Sequence, residues 1–257
     1  MKRFIAFAAR WYSIPLLLLI WQLVVVSSLV TSRLLPSVGD VLSAFVADVA
    51  NGALPHQAAI TLARALAGFS MAVVVGVVLA ATMSSSGLFS RMFEPIFFLG
   101  YPVPKIALFP VFAFVFGVGS PSKVAFTFLE CLYPIVISTY LGIMAIENRL
   151  IWSAQNMGAS RVTVFLRVIV PATLPSIFSG LRIALPLALT VVVVTEMIGD
   201  TQGLGYYITV WSTRFQYAHV YAGILAVGVC GLILDTIIMQ SQRRLLPWRS
   251  ESEGPTV

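Results

Sequence analysis

The chain has 257 residues, of which 59% are apolar and 10% charged, with a net charge of +6. A soluble globular domain carries roughly a quarter charged residues, so this chain has too little charge to clothe a water-facing surface. That excludes a soluble enzyme, a disordered tail and a secreted disulfide scaffold, and leaves a single polytopic membrane domain over 1–257 whose apolar excess faces lipid.

Six apolar runs are predicted in chain order, at 14–30, 61–83, 96–116, 124–146, 177–199 and 219–239. Runs of this length span about 30 Å of hydrocarbon at 1.5 Å per helical residue. Backbone groups in lipid need internal partners, so each run is expected to be a helix and the fold all-α. Lys2, Arg3 and Arg10 precede the first run as in a signal sequence. No small-x-small cleavage site follows it, so it reads as an uncleaved first helix.

Between the first two runs, Val38, Val41, Leu42, Phe45, Val46 and Val49 fall at helical spacing behind Ser37 and Asp40, a capping-box pair. An outer amphipathic helix at the membrane interface is expected there. The third run holds Pro102, Pro104 and Pro110 around Lys105. If helical, Lys105 lies about 16 Å deep. An ammonium at that depth either lines a path and attracts an anion or pairs with an acid on a neighbouring helix. Glu130 and Glu196 are acids within spans, and Asp235 lies near the inner end of the last. Each is expected to face the bundle interior. Cys131 and Cys230 sit in apolar runs and read as small buried hydrophobes.

Residues 147–176 form a long loop between spans. Residues 150–157 suit a short helix stopped by Gly158, and Ser160 can cap a second helix through Val168 that is expected to end before Pro171. The loop at 199–205 carries Gly199, Gly203 and Gly205 without a phosphate-binding pattern.

With the N-terminus in the cytoplasm, Lys2, Arg3, Arg10, Arg91, Arg149, Arg161, Arg167, Arg243, Arg244 and Arg249 fall inside. Only Arg33, Arg64, Lys123 and Arg214 fall outside. The asymmetry favours both termini in the cytoplasm. The basic residues form no continuous patch with interleaved aromatics, which excludes nucleic acid as a partner. His56 and His219 are far apart and offer no metal-ligand cluster with the cysteines. No Gly-x-Ser-x-Gly elbow is present, and no lysine follows a glycine as a phosphate-cradling loop requires.

Four blocks in order carry a resemblance. Trp152-Ser153-Ala154-Gln155-Asn156-Met157-Gly158-Ala159-Ser160 with Val168-Ile169-Val170-Pro171 is similar to the EAA loop of ABC importer permeases: Gly158, Val168, Val170 and Pro171 keep its spacing. The stretch from Pro175 to Arg182, the stretch from Pro102 to Pro110, and Glu196-Met197-Ile198-Gly199 with Gly203-Leu204-Gly205 also match. Together they resemble the branch importing sulfonates, taurine and nitrate. The sequence departs from the motif at Trp152, which stands where the glutamate is expected, and at Ser153, which replaces its first alanine. Glu147 is too far upstream to substitute.

The resemblance implies a type I importer permease of about six transmembrane helices, multi-pass in the bacterial inner membrane. Two copies would form the pore as a homodimer. Two cytoplasmic ATPase subunits would hold the ATP, so this chain would carry no cofactor and catalyse nothing. A periplasmic or extracellular binding protein would deliver a small solute, such as a sulfonate or nitrate. The ATPase-coupling loop would comprise Trp152, Ser153, Ala154, Gly158, Ala159, Ser160, Arg161 and Pro171. Candidates for the translocation path are Pro102, Pro104, Lys105, Glu130 and Glu196. The competing reading is an ion- or proton-coupled secondary transporter; against it, no chain of titratable groups crosses a span.

Overall fold

The computed structural model of the protein describes residues 12–27 and 34–247. Among these residues the chain is helical throughout, with no strand. The helices are α1 (Ser13–Val26), α2 (Val38–Ala50), α3 (Ala53–Ser85), α4 (Gly87–Gly100), α5 (Phe109–Phe116), α6 (Ser120–Met144) and α7 (Asn148–Asn156). They continue as α8 (Arg161–Met197), α9 (Leu204–Thr213) and α10 (Tyr217–Leu245).

Four of them, α3, α6, α8 and α10, are long and apolar enough to cross a membrane. A fifth crossing is available if α4 and the segment Lys105–Phe116 count as one, although the two are bent by 100°. The third apolar run is therefore a broken pair rather than a straight helix. Pro102 and Pro104 are the cause, because neither has an N–H to extend the helical ladder. Helix α1 is apolar but has only 14 residues, or about 21 Å. Lys2, Arg3, Arg10, Arg33 and Arg249, on which the orientation argument partly rests, lie outside the described residues.

The expected capping box opens α2. Ser37 Oγ accepts from the Asp40 N–H at 3.1 Å, and the Ser37 N–H donates to Asp40 Oδ2 at 3.3 Å. Val41, Ala44 and Asp48 face inward, while Leu42, Val46 and Val49 are exposed.

A second expectation fails. Pro171 does not follow a helix end; it lies inside α8, which runs unbroken from Arg161 to Met197. The turn Phe165–Ile169 just before it is a π-turn. Proline removes the bond that would reach back to residue 167 and crowds that carbonyl. A wider turn there gives the ring room, so the helix passes through.

The chain divides into two compact units. One gathers the described residues up to Thr61 with Glu196–Val229; the other holds Leu62–Thr195 and the described residues from Cys230 onward. In the larger unit, Ala65 and Ala72 of α3, Cys131 and Ile135 of α6, and Ala184, Ala188 and Val192 of α8 are wholly buried together. Small residues let the helices close up, which is how helices associate where lipid removes a hydrophobic drive. At Gly68 an added Cβ would sit 2.7 Å from Thr127 Cβ. Cys131 and Cys230 are free thiols and buried, as small hydrophobes. Phe178 and Leu185 meet Leu234 and Ile238 to join α8 to α10, and Arg182 Nε lies 3.3 Å from Asp235 Oδ1 across the same pair. In the smaller unit, Trp21 donates to the Pro36 carbonyl at 3.0 Å and packs on Tyr221 at 5.2 Å between ring centres.

Candidate functional site

The segment between α6 and α8 is a short helix, a glycine and a second helix start. Helix α7 ends at Asn156, and Gly158 follows with φ +81°, the left-handed region that suits glycine. Its N–H donates to Gln155 O at 2.9 Å, and the Ala159 N–H reaches back to Ala154 O at 3.1 Å. Ser160 then caps α8, its Oγ accepting from the Thr163 N–H at 3.2 Å. Nothing lies within 4 Å of where a Gly158 Cβ would be, so backbone conformation alone requires the glycine. Ala154 is buried, Ala159 half-buried, and Ser153, Ser160 and Arg161 exposed. Trp152 is 59% exposed and Met157 80%, with Val162 and Leu166 also open, so this segment sets large apolar side chains among exposed polar ones such as Arg149, Gln155 and Arg161.

The break between α4 and α5 builds the second feature. Gly100 ends α4, and the chain turns through Pro102 and Pro104 into the tight turn Lys105–Leu108. Lys105 folds back into that break. Its Nζ donates to the carbonyls of Gly100, Tyr101 and Val103 at 3.2–3.3 Å. Glu130 Oε2 of α6 stands 3.8 Å away. The Tyr133 ring lies under the ammonium at 4.4 Å, a cation–π contact. The side chain is 8% exposed.

These residues line a cavity of about 420 Å³ whose far wall is Thr190, Val191 and Val194 of α8. A second cavity, about 250 Å³, reaches Ser138 and Ile183. The two share Tyr101 and Pro134 as lining residues, so they lie side by side along α6 and α8 and are together called the groove. Of the path candidates, Pro104, Lys105 and Glu130 line it; Pro102 shapes the break without lining it. Tyr101 and Tyr133 were missed from sequence, because only the 100° bend brings their rings to the ammonium.

Glu196, in the other unit, anchors the loop at 199–205. The carboxylate is 1% exposed. It accepts from Thr61 Oγ1 at 2.8 Å and from the Gly205 N–H at 3.0 Å. Thr61 in turn accepts from the Leu204 N–H at 2.8 Å, and Gln57 accepts from Gly203. Gly203 has φ +103°, and a Cβ there would collide with the Glu196 carboxylate.

The same unit holds a hub not singled out from sequence. Asp48 of α2 accepts from Tyr207 of α9, contacts His219 Nδ1 of α10 at 2.6 Å, and accepts from Asn51 at 3.1 Å. Burial alone would raise the Asp48 carboxyl, but the bonds from Tyr207, His219 and Asn51 outweigh it and hold the pKa below the ordinary carboxylate value. Burial and the Asp48 charge push the Tyr207 phenol up. Trp211 stacks on His219 at 4.2 Å.

Comparison with known proteins decides the family. The model of the family described as "Binding-protein-dependent transport system inner membrane component" matches residues 72–250. The chain belongs to this family. It is 35% identical to the formylaminopyrimidine transport permease protein ThiX of Halalkalibacterium halodurans over 74% of this chain and 76% of that one. It is 30% identical to the taurine transport system permease protein TauC of Escherichia coli (strain K12), covering 93% and 89%. Among solved structures, a chain of the MetNI methionine ABC transporter in an inward-facing conformation superposes with a TM-score of 0.57 at 16% identity. The match covers 70% of this chain and 92% of that one. The permease thus has the type I importer fold in a multi-pass inner-membrane protein, and it is a transport component rather than an enzyme.

Proposed function

We propose that this permease forms, with a second copy of itself, the translocation path of an ATP-driven importer. Two ATPase subunits grip the cytoplasmic segment 147–176, and an external binding protein delivers a small organic anion such as a sulfonate, or nitrate. Both termini lie in the cytoplasm. The observation that carries the reading is the exposed α7–Gly158–α8 segment. Its glycine adopts the left-handed turn that the coupling-loop spacing requires, and its outer surface offers Trp152 and Met157 to a partner. ATP is hydrolysed outside the membrane, so the motion enters through an exposed element of this kind. The groove shared by α6 and α8 supports the path, since two copies about a two-fold axis can close two such half-open surfaces on each other. TauC, which carries taurine in its name and matches over nearly the whole chain, supports the substrate class.

Native mass measurement of the complex purified through this chain tests the assembly. Two identical permease chains with two ATPase chains are expected. One copy beside a different permease chain refutes the homodimer, and a permease without an ATPase refutes the coupling assignment.

A further inference from the structure

Proline at 104 removes the N–H that would serve the Gly100 carbonyl in a continuing α-helix and leaves it the Val103 N–H at 3.3 Å, while the 100° turn takes the carbonyls of Tyr101 and Val103 out of register. Unserved carbonyls at membrane depth are tolerated only where something else donates to them. The ammonium of Lys105 has three donors, and all three go to carbonyls of the break, those of Gly100, Tyr101 and Val103. Its charge is balanced by Glu130 at 3.8 Å and by the Tyr133 ring face. The close seat of that ring depends on Gly100, where an added Cβ would stand 2.8 Å from Tyr133. An anion in the cavity would meet an ammonium whose donors are spent and whose charge is already cancelled.

We propose that Lys105 is a positioning residue: it staples the broken helix pair at its 100° bend, with Glu130 as its fixed counter-ion, and is not a receptor for an anionic solute. The bend presents Tyr101, Val103 and Pro104 to the groove. The wall of the path is thus shaped by the staple and carries no net charge from it, so charge selection falls to the binding protein. The inference rests on the reading of the groove as the path.

The test uses the whole complex of permease, ATPase and binding protein. Spin labels at Leu99→Cys and Phe114→Cys flank the bend; both sites are exposed, and the native Cys131 and Cys230 are buried. The wild-type distance distribution is expected to be narrow. Lys105→Met should broaden it, and Lys105→Arg, which keeps the charge and donors, should restore it. Should Lys105→Met fail to accumulate because Glu130 is left without its cation, Lys105→Met with Glu130→Gln carries the same measurement. An unchanged distribution on loss of the lysine overturns the staple. Uptake of taurine, measured with the paired variant Lys105→Met with Glu130→Gln, separates the two roles. Loss of a staple lowers the maximal rate because the bend loosens, whereas a KM raised about tenfold with the maximal rate kept means that the ammonium receives the anion and overturns the proposal. A broadened bend with wild-type uptake keeps the staple and refutes the groove as the path. Absence of taurine uptake by the wild type removes taurine as the solute and leaves the label distances to decide the staple.

Discussion

Gly203→Ala is expected to be far more damaging than alanine at another left-handed glycine. At Gly203 φ is +103° and ψ 167°, a region essentially closed to side-chain-bearing residues, and holding alanine there costs about 1–3 kcal/mol. The new Cβ also lands on the Glu196 carboxylate, which must move. That carboxylate accepts from Thr61 at 2.8 Å and Gly205 at 3.0 Å, and hydrogen bonds to a charged group are worth about 1.5–3 kcal/mol each. Loss of one of them brings the total to roughly 2.5–6 kcal/mol. Gly52 is the control: its φ is +81° but nothing lies within 4 Å of an added Cβ, so Gly52→Ala carries only backbone strain of about 1–2 kcal/mol. Equilibrium unfolding of the purified permease in mixed micelles, with the two variants side by side, reads the difference. Equal destabilisation of the two would refute the account of Glu196 as the anchor of the 199–205 loop.

Gly158→Val should leave the spans inserted, because no neighbour crowds that position, while weakening ATPase retention or uncoupling hydrolysis from uptake; co-purification of the ATPase and transport per ATP report this. Trp152→Ala should reduce ATPase retention more than Arg161→Ala, and the difference should persist at 1 M salt, where the Debye length is only about 3 Å. For Asp48 the sign follows from its lowered pKa. The folded state binds the proton less readily than the unfolded chain, so its contribution is fully present above the ordinary carboxylate range and is lost as pH falls through the folded value. Wild-type stability should therefore fall toward that of Asp48→Asn below about pH 4, as unfolding midpoints measured across pH 3–6 would show.

What was legible in the sequence was what local chemistry dictates. Ser37 and Asp40 announce the α2 cap, and Gly158 announces a left-handed stop, because both signals act within a few residues. Pro171 misled because a π-turn at Phe165–Ile169 carries the helix past it, and no local residue pattern announces that turn. The ambiguity at Lys105 could not be closed from spacing: its three acceptors come from the bend itself and its counter-ion from α6. Glu196 looked like a path residue because an acid in an apolar run is costly. Its partners, Thr61 and Gly205, come from segments 135 and 9 residues away, and only the fold brings both to one carboxylate. The Asp48, Tyr207 and His219 hub joins three helices and leaves no periodic trace.

The most direct measurement is uptake into proteoliposomes holding the permease with its ATPase, with binding protein outside and ATP inside, in the absence of any ion or proton gradient. The account predicts accumulation of solute that requires both ATP and the binding protein, and that vanishes when either is left out. Accumulation driven by a proton or ion gradient, without ATP or binding protein, would contradict it and identify a secondary transporter instead.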